Sequence, residues 1–402
     1  MHIAHLELTN FRTFRRLEID LQPGIHVVTA PNASGKTNLL EAVALIATTR
    51  SARSGADVDL ISWDAIEEEP LPAARLSARV EAADGVVDLA VAVVTRPGRD
   101  GGRKDGAGKG SGGKSGEGLA ASRRFQVNGV ARRASDLIGR LRVVMFSATD
   151  LGIISGAPGL RRRLMDMTIS QFEPAYVRAL QRYTRVLQQR NSLLRRLQER
   201  RGDQSELEFW DDEAATAGAV VLAARAEALS ALGAQAGERY AELSPGGERL
   251  EISYRPALPP ELSSAPAEPR LAERLREALE QARDTDIRAG MTRLGPHRDD
   301  VAFLLGGHDA GAFASRGEQR GVALALRLAE VALSTERTGD PPLLLLDDIL
   351  SELDSDRRER VLAAAYGVDQ VLVTSADDEH LGPAMLPEAR RYRIVAGQVV
   401  IE

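Results

Sequence analysis

The sequence has 402 residues, of which 43% are hydrophobic and 27% charged, with a formal net charge of −6 and no cysteine. This composition is typical of a globular protein with two or three packed units, and it excludes disulfides and thiolate metal sites. The acidic balance means that a nucleic-acid partner requires a local basic face. Charge appears early in residues 1–14 and no apolar run approaches the ~18 residues of a membrane span, so we expect a cytoplasmic protein without a membrane segment.

The first informative elements are a predicted strand over residues 24–30 and a predicted helix over residues 37–49, whose apolar residues have helical spacing. The turn between them nearly matches the phosphate-binding pattern G-x-x-x-x-G-K-[ST], since Gly35, Lys36 and Thr37 are intact and Ala30 replaces the first glycine. A strand before such a loop and a helix after it direct main-chain N–H groups towards phosphates. Residues 30–37 are therefore the predicted nucleotide loop.

Lysine usage supports this prediction. Of 52 basic residues only four are lysines, namely Lys36, Lys104, Lys109 and Lys114. A general swing to arginine indicates coding bias, but a compact ammonium between phosphate oxygens is not replaceable by a planar guanidinium. The isolated lysine at position 36 therefore indicates a specific role.

A second stretch, residues 108–115, fits the phosphate-binding pattern letter for letter. It lies in a segment rich in glycine, serine and charge, residues 96–124, with no strand before it and no apolar periodicity after it. Such composition is typical of a flexible linker. We interpret this match as a linker.

Two alanines in the nucleotide loop affect the expected affinity. Ala30 adds only a methyl group at a position where we expect an extended backbone, which alanine adopts without strain. We therefore expect Ala30 to be tolerated. If the position of Ala33 requires a positive φ, alanine there costs roughly 1–2 kcal/mol. The loop is expected to bind nucleotide with weakened affinity.

Helices dominate the predicted region 168–290. Residues 176–201 carry an apolar seam of Leu180, Tyr183, Leu187, Leu194 and Leu197. The remaining faces are rich in arginine, namely Arg178, Arg182, Arg185, Arg190, Arg195, Arg196, Arg200 and Arg201. These faces are either simply solvated or a surface that follows a phosphate backbone, and we favour DNA contact for part of them.

A second, Ala-rich amphipathic segment, residues 208–233, should pack on the first to form a short arm. Pro-rich residues 254–270 should interrupt the helices, which resume at residues 271–283. No base-reading motif stands out, so binding should follow backbone or junction shape and weaken steeply with salt.

The string GPHRDD, residues 295–300, places one histidine near two aspartates. Without a second histidine cluster, a metal site is the weaker interpretation. We expect a turn in which Arg298 pairs with a local carboxylate.

Two C-terminal segments suggest further anion and metal chemistry. Ser315 and Gly317 open a predicted helix whose free N–H groups either face an anion or are capped in the ordinary way. The apolar strand in residues 341–354 ends in Asp347 and Asp348. A strand-end carboxylate can hold Mg²⁺ and its neighbour can polarise water, which completes a nucleotide site with residues 30–37.

The order of loop, long insertion, Ser-x-Gly-x-Gln motif, Asp-Asp strand and SELD resembles the ATPase heads of the ABC, SMC and Rad50 group. Further strings narrow the resemblance to the RecF family of bacterial recombination mediators: LTNFRTF (8–14), RRRLMD (161–166), QQRNSLLR (188–195), FWDDEAA (209–215) and GPHRDD (295–300). The likeness extends from about residue 3 to about residue 375.

The resemblance implies an α/β fold, an ABC-type ATPase head with an inserted helical arm. The first part of the head would be residues 1–167, with a flexible Gly-rich insertion at 99–121. The arm (lobe II) would be residues 168–290. The second part of the head, with the signature motif and the Walker B strand, would be residues 291–402.

The resemblance also assigns roles to individual residues. Those expected around the phosphates of ATP are Ala30, Pro31, Asn32, Ala33, Ser34, Gly35, Lys36, Thr37 and Asn38, with Asn10 and Arg12 approaching the nucleotide. Thr37 and Asp347 would bind Mg²⁺. Asp348 would orient or activate water, where most ABC-type ATPases use glutamate.

A signature motif would act in trans on the nucleotide of a second subunit, through Ser315, Arg316, Gly317, Glu318 and Gln319. Residues 351–354, ending in Asp354, would bridge the two sites of a head-to-tail dimer. The expected catalytic set is Lys36, Asp347, Asp348 and Ser315. Three residues depart from the family pattern, since Ala30 and Ala33 replace glycines and Glu318 replaces glutamine, adding negative charge beside the incoming γ-phosphate.

The implied function is an ATP-dependent homodimeric DNA clamp with slow, DNA-stimulated ATPase activity. It would close at gaps and duplex junctions in recombinational repair and replication restart, with RecR and RecO as partners and RecA as the protein loaded. The alternative is a divergent paralogue, a nucleotide-binding structural DNA clamp with little or no hydrolysis. A transporter ATPase would need a surface that couples it to a membrane partner, and a small-molecule kinase leaves residues 315–319 unexplained.

Overall fold

The structure is a computed structural model, and it describes residues 1–31, 33–51, 53, 55–97, 119–259, 270–376, 386, 388–395 and 397–401. The second pattern match (residues 108–115), Asn32 and residues 260–269 of the Pro-rich segment lie outside these residues. The expectations for them therefore stay predictions.

The described chain contains groups of consecutive strands and groups of consecutive helices. The strands are His2–Phe11 (β1), Phe14–Asp20 (β2), Gly24–Thr29 (β3), Ala73–Ala82 (β4), Gly85–Pro97 (β5), Leu119–Val127 (β6), Val130–Arg132 (β7), Val143–Ser147 (β8), Leu250–Arg255 (β9), Asp300–Leu305 (β10), His308–Asp309 (β11), Leu343–Asp347 (β12), Gln370–Ser375 (β13), Arg390–Val395 (β14) and Gln398–Ile401 (β15). The helices are Lys36–Thr48 (α1), Trp63–Glu68 (α2), Ala134–Leu137 (α3), Leu151–Ser155 (α4), Pro158–Ser170 (α5), Pro174–Gln198 (α6), Glu206–Leu243 (α7), Leu271–Gln281 (α8), Arg283–Ala289 (α9), Ala310–Phe313 (α10), Arg316–Thr338 (α11) and Ser355–Tyr366 (α12).

The first compact unit comprises Met1–Ala148 and Gly339–Glu402 and contains two six-stranded sheets. One sheet is antiparallel, in the order β2-β1-β4-β5-β6-β7. In the other, with the order β15-β14-β3-β13-β12-β8, all neighbours are parallel except the β14–β15 pair. Helix α1 contacts strands of both sheets, and its apolar side chains share one buried core with them. This packing fixes the start of α1 relative to the parallel sheet.

The second compact unit is Thr149–Thr338, which contains helices α4 to α11 and the small antiparallel sheet β11-β10-β9. Its centre is α7, a 38-residue helix that contacts α6, α8, α11 and β9. Among the described residues α7 is long and apolar enough to cross a membrane. Half of its most apolar 18-residue stretch is, however, buried within the protein. A core helix has the same properties.

The units divide the chain at 148/149 and 338/339, whereas the sequence predicts divisions at 167/168 and 290/291. The difference arises because helices that precede and follow the predicted arm in sequence pack on α7. Helices α5 and α11, which the prediction assigns to the head, pack on α7 in the structure.

Candidate nucleotide-binding site

The site lies at one edge of the parallel sheet of the first unit. Strand β13 is the neighbour of both β3 and β12, and the register pairs Ser375 with Thr29 and Thr374 with Asp347. The carboxyl ends of β3, β13 and β12 therefore meet at this edge, where α/β proteins bind ligands. The predicted strand, loop and helix at residues 24–49 are confirmed as β3, a turn and α1.

Lys36 is the first residue of α1 and is only 6% exposed. Its Nζ donates hydrogen bonds to the carbonyl oxygen of Ala30 and, at 3.1 Å, to that of Pro31. Burial lowers the pKa of Lys36, while the charges of Asp348 and Asp347 oppose this shift. The ammonium is thus held inside the loop, with two carboxylates near enough to influence it.

The loop depends on unusual backbone conformations. Gly35 caps α1 with φ 104°, and a Cβ added there would clash with Oγ1 of Thr13. Ala33 has φ 66°, so the condition under which alanine strains this position is met. Ala30 is 4% exposed and is not among the described residues with positive φ, so its methyl group is buried without backbone strain.

A hydroxyl and a carboxylate meet opposite the loop. Oγ1 of Thr37 donates to Oδ1 of Asp347 at 3.0 Å, and Oγ1 of Thr374 donates to the same oxygen at 2.9 Å. Hydroxyl and carboxylate oxygens are ligands that Mg²⁺ accepts, so Thr37 and Asp347 fit the predicted metal role. Thr374 was missed by sequence reasoning, although a hydroxyl at the end of the β-branched run of β13 could have indicated it.

Asp348 has φ 54°, a conformation that is rare for non-glycine residues. Its N–H donates to the carbonyl oxygen and to Oγ1 of Thr374, both at 3.2 Å, and its own carbonyl accepts from Oγ of Ser351 at 2.9 Å. Backbone strain of this kind occurs at functional sites. Asp354, the last residue of the predicted bridging segment, caps α12 by accepting from N–H of Arg357 at 2.9 Å.

Asn10 and Arg12 lie in the first unit, and carboxylates engage both. Nδ2 of Asn10 donates to Glu69 at 2.9 Å. The guanidinium of Arg12 donates to both oxygens of Glu41, at 2.9 and 3.1 Å, and to the carbonyl oxygen of Asp59. Glu41 is 3% exposed in α1, and the only signal of its role in the sequence is a carboxylate inside an apolar helix.

Asn38 links the loop helix to its surroundings. Its Nδ2 donates to Oγ1 of Thr13 at 3.1 Å, and its Oδ1 accepts from Arg53 at 3.3 Å. Ser34 donates to the carbonyl oxygen of Pro31 at the exposed side of the loop. The bonds of Asn38 tie Thr13 and Arg53 to the start of α1.

The signature motif lies in the second unit, at the start of α11. Ser315 caps this helix: its N–H and Oγ each donate to Oε2 of Glu318 at 2.7 Å, and N–H of Glu318 donates to Oγ of Ser315 at 3.3 Å. This reciprocal arrangement is a capping box. Nε2 of Gln319 donates to the carbonyl oxygens of Ala310 and Ala314, both at 3.1 Å. Arg316 and Gly317 are exposed.

The expectation that Arg298 pairs with a carboxylate is wrong. Its Nη2 lies 3.1 Å from Sδ of Met291, because the neighbouring carboxylates already have other partners. Asp299 accepts from Arg225 at 2.7 Å, and Asp300 accepts from Arg161 at 2.7 Å. Both ring nitrogens of His297 are also engaged, by Tyr183 and by the carbonyl oxygen of Thr292.

The predicted arginine face of α6 needs one correction. Arg190 is fully buried and pairs at 2.7 Å with Asp211 and with Asp286, so it cannot contact DNA. A buried guanidinium is stable only where carboxylates satisfy it, and α7 and α9 supply them. The other seven arginines of the predicted face are exposed. Arg182 is bonded to Glu213, and Arg196 lies 3.5 Å from Glu206.

A parallel sheet edge with a phosphate-type loop, an opposing strand-end aspartate and a signature helix in a second unit defines an ABC-type ATPase head. Residues 2–394 match the family described as RecF/RecN/SMC N terminal domain. The chain is 43% identical to the DNA replication and repair protein RecF of Chloroflexus aurantiacus and 36% identical to that of Heliobacterium modesticaldum, each over 99% of both chains. The chain belongs to the RecF family.

Solved structures agree with this assignment. The structure of the recombination mediator protein RecF with ATP in the RecFOR pathway superposes with a TM-score of 0.82 at 27% identity, over 100% of this chain and 97% of that chain. An Smc head bound to the C-winged helix domain of ScpA gives a TM-score of 0.50 at 17% identity, over 100% of this chain and 98% of that chain, which shows a shared fold.

Proposed function

We propose that the chain binds ATP with Mg²⁺ at residues 30–38, and the observation that carries this proposal is the convergence of Lys36, Thr37 and Asp347. Lys36 supplies a positive charge within the loop. Thr37 and Asp347 present oxygens 3.0 Å apart, which would hold Mg²⁺. The metal would neutralise phosphate charge when bound. Asn38 and the N–H groups at the start of α1 would add phosphate contacts, as would Asn32, which lies outside the described residues, by resemblance to the family.

Slow ATP hydrolysis is the second part of the proposal. Asp348 would orient the attacking water, since it follows the metal carboxylate and its backbone is fixed by two hydrogen bonds from its N–H to Thr374. A general base must lie within hydrogen-bond reach of the proton that it removes. The positive φ of Asp348 is a strained conformation of the kind found at functional sites, which supports such a role.

ATP-dependent dimerisation is the third part. Ser315, Arg316 and Gly317 are exposed at the start of a 23-residue helix, and the positive end of such a helix favours an anion. We propose that they contact the ATP held by a second copy of the chain in a head-to-tail dimer. Residues 351–354 would then join the two sites.

DNA binding would use exposed arginines of the second unit. Arg178 and Arg185 share one exposed face of α6 with the partly neutralised Arg182 and Arg196. A second group of exposed arginines, Arg288, Arg293 and Arg298, lies at the end of α9 and on the segment that follows it. That segment is fixed to α6 because Gln198 donates to the carbonyl oxygen of Arg288 and Asn191 accepts from N–H of Thr292.

Arginines on a rigid scaffold suit sequence-independent contacts with phosphates. We propose that the DNA is a duplex next to a single-strand gap. The relatives are described as DNA replication and repair proteins and one solved relative belongs to the RecFOR pathway. This supports RecO and RecR as partners and RecA loading as the outcome, in the cytoplasm.

The test is the molecular mass in solution, by light scattering, with Mg-ATP, with Mg-ADP and without nucleotide. Wild-type protein should double in mass with ATP alone. Lys36→Ala should fail to bind ATP, whereas Ser315→Arg should bind ATP and stay monomeric. Normal dimerisation of Ser315→Arg would disprove the contact in trans, and a wild type that does not bind ATP would disprove the nucleotide site.

A second candidate function is a nucleotide-binding structural clamp with little or no hydrolysis. The positive φ of Ala33 favours this second function, because a strained residue in the loop lowers the expected affinity of the loop for the phosphates of ATP. Phosphate release in the presence of duplex DNA separates the two functions. A rate no higher than that of Lys36→Ala would support the structural clamp.

A further inference from the structure

Ser315, the residue proposed to contact ATP in trans, already has an anion as its partner. Its N–H and its hydroxyl both donate to Oε2 of Glu318 at 2.7 Å. The hydroxyl oxygen accepts a third hydrogen bond, from N–H of Glu318, at 3.3 Å. The carboxylate of Glu318 therefore occupies both donors of Ser315, the residue that caps α11.

The chemistry of these groups makes the occupancy exclusive. A serine hydroxyl has one proton to donate and two lone pairs, and an ionised phosphate oxygen can only accept. A γ-phosphate that binds Ser315 would therefore need the same proton that Glu318 now accepts. The hydrogen bonds from the hydroxyl and the N–H of Ser315 lower the pKa of Glu318, so the carboxylate stays charged at neutral pH.

We propose that Glu318 competes with the γ-phosphate for Ser315 and thereby raises the ATP concentration needed for dimer closure. This inference rests on the proposed function. Closure would require Glu318 to release Ser315 in both copies, and each release would leave a negative charge beside incoming phosphate. The competition makes Glu318 a residue that sets the affinity of closure and does not take part in the chemical step.

The test uses Glu318→Gln, which keeps a side chain that can form the capping box. Its neutral amide oxygen binds the hydroxyl of Ser315 more weakly than a carboxylate does, and it does not repel the incoming phosphate. The matched control is Glu208→Gln. Glu208 occupies the equivalent third position of α7, after Ser205, and is exposed, but Ser205 makes no side-chain capping bond there. Both variants change the net charge equally. The measured quantity is the ATP concentration at half-maximal dimer, by light scattering, at several salt concentrations.

For Glu318→Gln we expect this concentration to fall about threefold to tenfold at low salt, as for like charges a few ångströms apart in a solvated site. The advantage should shrink as salt screens the repulsion of the wild type, which a purely structural effect on the cap would not do. Glu208→Gln should match the wild type at every salt concentration.

Equal half-maximal concentrations for Glu318→Gln and wild type would overturn the competition and leave the proposed dimer intact. A salt-independent difference would also overturn it. If wild type and Glu318→Gln bind ATP and both stay monomeric, the proposed closure itself is wrong, and the inference that rests on it is overturned as well. Dimerisation of Glu318→Gln alone would support the competition.

Discussion

Thr37 and Asp347, which are 310 residues apart in sequence, are joined by a hydrogen bond of 3.0 Å from Oγ1 to Oδ1. Two chain segments, the loop helix α1 and the strand β12, thus contribute one oxygen each to a single point at the sheet edge. Thr374 donates to the same oxygen of Asp347 from the strand between them. The strand order places β13 between β3 and β12, so all three residues depend on the same sheet.

Asp347→Asn should abolish Mg²⁺-dependent tightening of ATP binding, because an amide lacks the charge that holds the metal. Calorimetric titration with ATP, with and without Mg²⁺, measures this. Asp348→Asn is the matched control on the adjacent residue, and it should bind Mg-ATP as the wild type does while losing hydrolysis. If the two variants bind Mg-ATP equally well, the assignment of the metal to Asp347 is wrong.

The two alanines of the loop should respond oppositely to glycine. Ala33→Gly removes the penalty of a positive φ, which is roughly 1–2 kcal/mol for alanine, and part of this gain is lost to the greater freedom of glycine in the unfolded chain. We expect a small gain in the free energy of unfolding. Ala30→Gly should destabilise by about 1 kcal/mol, since it removes a buried methyl group and adds the same unfolded-state freedom.

Urea denaturation of the two single variants measures both changes, and each variant serves as the control for the other. A loss of stability in Ala33→Gly equal to that in Ala30→Gly would show that the backbone at position 33 is not strained in solution.

The residues of α6 differ sharply in what their removal should cost. Arg190→Ala leaves Asp211 and Asp286 buried without their shared partner, and breaking such a buried network costs about 3–5 kcal/mol. Arg185→Ala removes an exposed side chain, so its stability should change by less than about 0.5 kcal/mol. Denaturation of both variants under the same conditions tests this contrast, and similar losses would contradict it.

DNA binding should depend on the exposed Arg185, although this residue contributes little to stability. Arg185→Ala should lower the slope of log affinity against log salt by about one, as expected for the loss of one phosphate contact. Fluorescence anisotropy with a gapped duplex, at several salt concentrations, measures the slope. An unchanged slope would remove this face of α6 from the proposed DNA surface.

Sequence reasoning succeeded where a local pattern defines the element. The run of apolar residues before Ala30, the Gly-Lys-Thr triplet and the aspartates after an apolar strand each carry their own signal, and β3, α1 and β12 confirm them. It failed for Arg190, which looks like any other arginine of α6. Its burial depends on aspartates 21 and 96 residues away, and a single sequence does not reveal such pairings.

The signature motif shows an intermediate case. The spacing of Ser315 and Glu318 is a capping-box pattern that a sequence can reveal. As a departure from the family pattern alone, Glu318 indicates a negative charge beside the γ-phosphate of the incoming ATP. The structure shows that the same charge is bound by Ser315, so the local helix and the proposed phosphate contact use the same atoms.

His297 provides a test of the buried polar network in the second unit. Its Nε2 lies 3.0 Å from the carbonyl oxygen of Thr292, which can only accept, so Nε2 carries the proton and Nδ1 accepts from the hydroxyl of Tyr183 at 2.7 Å. Burial lowers the pKa of His297 to about 4, and this exceeds the opposing effect of the hydrogen bond to Thr292. The imidazole is therefore neutral in the folded protein at pH 5 to 7.

In the unfolded chain histidine titrates near its ordinary pKa of about 6.5. Between about pH 6.5 and pH 4 the unfolded state thus binds a proton that the folded state does not, so stability falls as the pH is lowered through this window. The loss from this residue approaches about 3 kcal/mol at the acid end. His297→Gln should be less stable than wild type at pH 7, because it disturbs two hydrogen bonds, but should lose less additional stability between pH 6.5 and pH 5.

Urea denaturation at pH 7, 6 and 5 measures this difference. His308→Gln, at an exposed position of the same unit, is the control and should follow the pH dependence of the wild type. NMR of the imidazole gives a direct reading, since the resonances of His297 should still report the neutral form at pH 5.5. A protonated His297 at that pH, or equal pH dependence in all three proteins, would show that solvent reaches the ring and that the network of Tyr183, His297 and Thr292 is open in solution.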